Sequence, residues 1–241
     1  KIAAMAPRAR VAFLYGATEA EPIALAEHKA YGAAERSAMR AGGGVLAGRP
    51  IEEIAVRILA DPQEARQRED MTVSRQIAGE IAVSGPHVSK SYLDPARNTD
   101  RKLTLNGVVW HRTGDAGYLD ESARLWLVGR CSGKAADAGV DPLRVEAALA
   151  DAPGIARATL VERGGRLVRV YQRARGNRRL EASEIASQVS WCHADEVAEV
   201  QAIPMDTRHH AKVDIPRLET MLDRGACISR VPCVLREEPG L

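Results

Sequence analysis

The 241-residue chain has few aromatic residues: they make up 4% of it, and phenylalanine occurs once. A core must therefore be built from leucine, valine, isoleucine and alanine. Cysteine is also scarce. The four thiols, Cys131, Cys192, Cys227 and Cys233, contain no Cys-x-x-Cys pair, which speaks against a zinc knuckle or a redox motif. Reduced thiols in a cytoplasmic protein are the expectation. No apolar run approaches the length of a membrane span, and no secretory leader opens the chain. The net charge is +2, so nothing points to nucleic acid or an anionic membrane as an obligatory partner. The first residue is Lys1 rather than methionine, and a truncated or processed chain is expected.

The apolar share of 45% and charged share of 27% are ordinary for a globular protein. Residues 11–15, VAFLY, read as a buried strand running into a glycine-containing loop. Residues 26–41 are alanine-rich and helix-compatible, with Gly42, Gly43 and Gly44 as a stop. Strands are expected at 54–59 and 79–85, with a loop or fraying hairpin over 61–76 between them. Sheet continues from 107 to 130, including a hairpin that turns at Asp120, Glu121 and Ser122.

After Arg130 the texture changes to small, polar CSGKAADAG, which places a domain boundary there. Asp141 and Pro142 then suit the cap and first turn of a helix through about residue 151. Two strands follow, joined at Gly164-Gly165. A helical pattern at 181–193, a strand over EVAEVQAI and a last helix opened by Asp214 and Pro216 complete a small α+β domain. The expected division is 1–130, mostly sheet in an α/β domain; 131–225, α+β; and 226–241, an arm or disordered tail. No internal repeat is present.

Three segments admit a chemical reading. In YGATE, Gly16 permits close backbone approach, the Thr18 hydroxyl can donate to a phosphate oxygen, and the Glu19 carboxylate suits magnesium. An ordinary strand-end turn explains the same residues about as well. In HRTGDAGYLD, Asp115 could accept hydrogen bonds from two adjacent ribose hydroxyls, although an Asx turn is the simpler account. In PMDTRHHAKVD, Lys212 could neutralise charge developing on a phosphoryl group, although most lysines are surface lysines. His209 and His210 are adjacent, share no face and have no acidic or cysteine partner at ligand spacing, which argues against a metal site there.

The order of these segments is what distinguishes them. YGATE, then GEIAVSGPHVSKSYLDPARNT, then WHRTGDAGYLDESARLWLVGR, then the lysine loop resembles the adenylate-forming superfamily over about residues 11–222. The resemblance implies the C-terminal remnant of a large AMP-binding domain followed by a small mobile domain. It implies that Tyr15 flanks adenine, Thr18 meets a nucleotide phosphate and Glu19 meets magnesium. Asp115 would hold the ribose diol with Arg130 nearby, Ser132 would be the hinge, and Lys212 would serve adenylation. ATP or AMP and Mg²⁺ are the implied cofactors, with a carboxylic acid as substrate.

Two departures qualify that implication. The Gly/Ser/Thr-rich phosphate loop ending in lysine, which should precede YGATE, is missing; an absent upstream region or a separate subunit would have to supply it. After the hinge, Gly139 matches the family's turn but Asp141 stands where arginine is usual, which speaks against CoA as the acceptor. WHRTGDAGYLD, RLWLVGR and DTRHHAK resemble the β-lactone synthetases of olefin biosynthesis and their long-chain acyl-ligase relatives. There a β-hydroxy acid is adenylated and closes on itself. Taken alone, the chain is expected to be inactive, with a non-catalytic binding module and one half of a split ligase as alternatives.

Overall fold

The computed structural model describes residues 5, 8–59, 76–131, 140–207 and 212–233. Ser132, Gly139, His209, His210 and nearly all of the 61–76 segment lie outside the described residues. The chain divides into two compact units: Lys1–Met39 with Gly43–Ser132, and Arg40–Gly42 with Gly133–Leu241.

The first unit is organised by an eight-stranded sheet. Its strands are β1 (Ala12–Ala17), β2 (Ala20–Glu27), β3 (Val45–Pro50), β4 (Ala55–Leu59), β5 (Gly79–Ser84), β6 (Lys102–Leu105), β7 (Val108–Leu119) and β8 (Leu125–Arg130). They run in the order β1-β2-β3-β8-β7-β5-β4, with β6 on β7, and every pairing is antiparallel. Ile23, Ile58, Ile81, Val83 and Leu125 form an aliphatic core, as the shortage of aromatics requires. The β7–β8 hairpin closes at the expected place: Asp120 accepts through Oδ1 from the amides of Ser122 and Arg124, fixing the turn.

Two expectations for this unit need correction. Strand 11–15 exists but is an edge strand, and Phe13 and Leu14 are 48% and 53% exposed rather than buried. The helix expected over 26–41 is mostly something else. Ala26 and Glu27 belong to β2, which β1 and β3 flank; only Ala33–Ala38 (α1) is α-helical, preceded by a 3-10 turn at His28–Ala30 and followed by a wide turn at Met39–Gly43. At Ala26 and Glu27, pairing with β1 outweighs alanine's helix preference. Strands β3 and β6 and a short helix α2 (Ala96–Arg101) are present although the sequence pattern does not announce them.

The second unit has three layers. Its four-stranded sheet runs β12-β11-β10-β9, from β9 (Ile155–Arg163), β10 (Arg166–Arg173), β11 (Glu196–Val200) and β12 (Ser229–Pro232). Gly164 and Gly165 both adopt positive φ, +55° and +73°, as a two-residue hairpin turn of the favoured hand requires. β10 and β11 are parallel, and α4 (Ala182–Gln188) makes the crossover. Alternation along β10 sorts its side chains: Leu167 and Tyr171 join α3 (Pro142–Leu149) and α4 on one face. Val168 and Val170 join α5 (Ile215–Asp223) on the other.

Both predicted caps form. Asp141 accepts from the Leu143 amide at 3.0 Å and Asp214 from the Arg217 amide at 3.1 Å. Asp141→Ala should lower the stability of this unit by about 1 kcal/mol, read as a smaller urea midpoint at unchanged slope. The helix at 181–193 is shorter than its pattern, yet Val189 and Cys192 beyond its end still enter the core. The segment after Gly225 is not wholly an unstructured arm: Ser229–Pro232 pairs antiparallel with β11 and supplies its outer neighbour.

Candidate functional site

The β1–β2 hairpin and the β7–β8 pair carry the residues of interest in the first unit. Ala17 and Ala20 are cross-strand partners, so Thr18 and Glu19 are the two turn residues between β1 and β2. Gly16 sits at an irregularity in that ladder, where an added Cβ would come 2.9 Å from Glu21 Cγ. Thr18 is exposed and Glu19 half-buried.

Asp115 and Arg130 are direct partners across β7 and β8, and Arg130 Nη1 lies 3.4 Å from Asp115 Oδ1. Tyr15 completes the group. Its hydroxyl donates to Asp115 Oδ2 at 2.9 Å. Burial, reinforced by the Asp115 charge, pushes the Tyr15 phenol far above its ordinary value, so it stays a donor at neutral pH. The structure thus brings together an aromatic ring, a carboxylate and a guanidinium from three strands.

The backbone at Asp115 is fixed from behind. Gly114 adopts φ +73°, a conformation that favours glycine. The Gly114 amide donates to Glu80 Oε1 at 3.2 Å. Glu80 Oε2 receives Arg112 Nε at 2.8 Å and Nη2 at 2.6 Å. Thr113 donates its hydroxyl to the Ile81 carbonyl at 2.9 Å and accepts from the Asp115 amide at 3.1 Å.

A second group surrounds Glu19. The Tyr92 hydroxyl donates to Glu19 Oε1 at 2.7 Å, and His111 Nε2 lies 3.8 Å from Oε2. The Tyr92 bond is the largest influence holding the Glu19 carboxyl below its usual range, with its own backbone, His111 and Lys102 adding to it against partial burial. Glu19 is therefore ionised at neutral pH. Among the described residues no cluster of three His, Cys, Asp or Glu side chains could hold a metal ion. One ionised, half-exposed carboxylate fits magnesium, which takes its remaining ligands from water and substrate phosphates.

Lys212 belongs to the second unit and is exposed. Its amide donates to Asp206 Oδ1 at 3.0 Å, and the Asp206 amide donates to the Lys212 carbonyl at 2.8 Å. A bridge between Met205 and Val213 closes the same neck. The lysine is thus held at its backbone two residues before the cap of α5.

Sequence reasoning does not single out Tyr92, Lys102, His111, Glu80 or Arg112. His111 and Arg112 stand inside the quoted HRTGD motif. Glu80 is a carboxylate in an otherwise apolar strand, a signal that it must have a buried partner.

No family model matches the chain. It is 31% identical over 225 residues to an olefin β-lactone synthetase of Stenotrophomonas maltophilia, covering 85% of this chain and 40% of that protein. It is 30% identical over 123 residues to the chloroplastic/peroxisomal 2-succinylbenzoate–CoA ligase of Arabidopsis thaliana, covering 49% of this chain and 20% of that one. Among solved structures, IdnL7 superposes at a TM-score of 0.65 and 26% identity, covering 92% of this chain and 41% of its own. The O-succinylbenzoate coenzyme A synthetase of Bacillus subtilis, solved with AMP, superposes at 0.64 and 22% identity, covering 87% of this chain and 41% of its own. The chain spans at most about two fifths of the length of these relatives. In fold it matches the C-terminal part of adenylate-forming enzymes, and its sequence relatives are ligases and synthetases.

Proposed function

We propose, for a chain that matches the C-terminal part of adenylate-forming ligases and synthetases, that it supplies the nucleotide-facing rim and the lysine-bearing unit of an ATP-dependent carboxylate-activating enzyme. The observation that carries this reading is the meeting of Tyr15 from β1 with Asp115 and Arg130, which are direct partners across β7 and β8. A carboxylate with two oxygens can accept from both hydroxyls of a ribose diol. The neighbouring Tyr15 ring offers a face for adenine, and Arg130 adds positive charge beside the sugar.

The reaction assigned to the complete enzyme is attack of a substrate carboxylate on the α-phosphate of ATP, giving acyl-AMP and pyrophosphate. Glu19 would hold magnesium, which when bound offsets the negative charge of the phosphates. Thr18, on the same turn, would donate to a phosphate oxygen. Lys212 would stabilise charge that grows on the phosphoryl and carboxylate oxygens in the transition state. Ser132 would serve as the hinge between the domain of residues 1–130 and the mobile domain of residues 131–225. Without a phosphate loop, the 241-residue chain would not catalyse by itself.

A fatty or β-hydroxy acid is the proposed substrate class. The β-lactone reading is favoured by the name of the 31%-identical relative and by Asp141, which caps α3 at a position where CoA-using relatives are expected to carry arginine. An internal hydroxyl, rather than CoA, would then take the acyl group.

Asp115→Ala tests the ribose assignment. Losing two hydrogen bonds to a charged acceptor should weaken AMP binding to the chain about 100-fold or more by calorimetry. AMP binding that survives the substitution at full strength would remove Asp115 from the nucleotide site, and the reading with it.

A further inference from the structure

Three side chains with no part in the proposed reaction converge on Glu19, from three separate stretches of chain. Tyr92 comes from the segment between β5 and α2, Lys102 from the start of β6, and His111 from β7. Lys102 and His111 are direct partners in the β6–β7 ladder. Lys102 Nζ donates to the Ser89 carbonyl at 2.6 Å and lies 3.3 Å from His111 Nδ1. It also stands 4.9 Å from the centre of the Tyr92 ring. Ser89 in turn donates its amide to the Glu19 carbonyl at 2.8 Å. Glu19 is therefore held at its backbone by Ser89 and at its carboxylate by Tyr92.

Chemistry assigns the protons in this group. An ammonium has donors only, so His111 Nδ1 accepts from Lys102 and the ring proton sits on Nε2. That is the nitrogen 3.8 Å from Glu19 Oε2. At that distance Nε2–H attracts the carboxylate without bonding to it, whereas Oε1 is engaged by Tyr92. The imidazole is 2% exposed, so it cannot swing away.

We propose that Tyr92, His111 and Lys102 are positioning residues for Glu19. Tyr92 fixes Oε1, Lys102 sets the tautomer of His111, and the two together turn Oε2 toward the magnesium of a bound magnesium–nucleotide. The proposal rests on the reading of Glu19 as the magnesium carboxylate.

The test uses the full 241-residue chain with manganese as the probe, followed by electron paramagnetic resonance in the presence of ATP. Metal-free AMP affinity is measured alongside it. Tyr92→Phe, which removes one hydrogen bond to a carboxylate, should weaken manganese–ATP binding roughly tenfold or more, Lys102→Met should weaken it in the same direction, and both should leave AMP affinity unchanged. Lys102→Arg, which keeps a cationic donor, should restore most of the metal affinity. Parallel loss of AMP and metal binding would show a merely structural role and overturn the proposal. Unchanged metal binding in Tyr92→Phe and Lys102→Met, with a loss in Glu19→Gln, would overturn the proposal alone. No loss in Glu19→Gln, or no metal binding by the wild-type chain, would overturn the reading of Glu19 and the proposal together.

Discussion

Glu80→Ala should cost the first unit about 3–5 kcal/mol, a large fraction of the stability an ordinary domain possesses. Glu80 is 4% exposed and takes two guanidinium bonds from Arg112 and one from the Gly114 amide. Its removal leaves a largely buried cation and a backbone donor without their acceptor. Urea unfolding of the chain measures the loss directly. A double variant, Glu80→Leu with Arg112→Met, should unfold at a midpoint much nearer that of the wild type, because it removes the charge together with its partner. If single and double variants fall equally, the loss comes from packing and not from a stranded charge. The single variant should also weaken AMP binding, since Gly114 precedes Asp115 and loses its anchor.

Lys212→Ala should have the opposite profile. The side chain is exposed, so its removal should change stability by no more than about 0.5 kcal/mol. In a longer protein that carries the upstream phosphate loop, acid-dependent ATP–pyrophosphate exchange should fall about 10²- to 10³-fold, the effect of deleting one electrostatic contact to a transition state. AMP affinity should be unchanged. Comparable losses of exchange and of AMP affinity would mean that the lysine binds ground-state nucleotide.

The contrast between these two residues shows what is legible in the sequence. Lys212 and Glu19 are identifiable because each sits in a short motif next to a helix or strand end; Asp115 is identifiable from its motif although the Asx turn suggested there is absent and the residue lies inside β7, and the order of the motifs restricts the reading. Asp141 and Asp214 are legible as caps because a cap is decided within three residues. Glu80, Tyr92 and Lys102 act across separations of 34, 73 and 13 residues respectively, through partners that only the sheet brings together. Nothing local marks such a residue beyond a charge where an apolar side chain would fit. The same reason explains the start of the 26–41 segment: its alanines favour a helix in isolation, but Ala26 is a buried residue of β2 paired with Phe13 of β1. Phe13 and Leu14 look buried in the sequence and are exposed in the fold, because apolar runs do not reveal which strand ends a sheet.

The short strand β12 has a consequence for solubility. It lies outside β11, all five of whose residues are buried. Without that cover, a buried strand would present its backbone groups to any passing chain, the geometry from which sheets extend between molecules. β12 is itself badly suited to recruiting another strand. It is four residues long, ends in Pro232 and is largely exposed, and its Arg230 is paired with Glu196 on β11. Proline withholds a ladder donor, and a charge and a short edge both disfavour further growth. Those four residues thus make this edge of the sheet a poor template for a further strand.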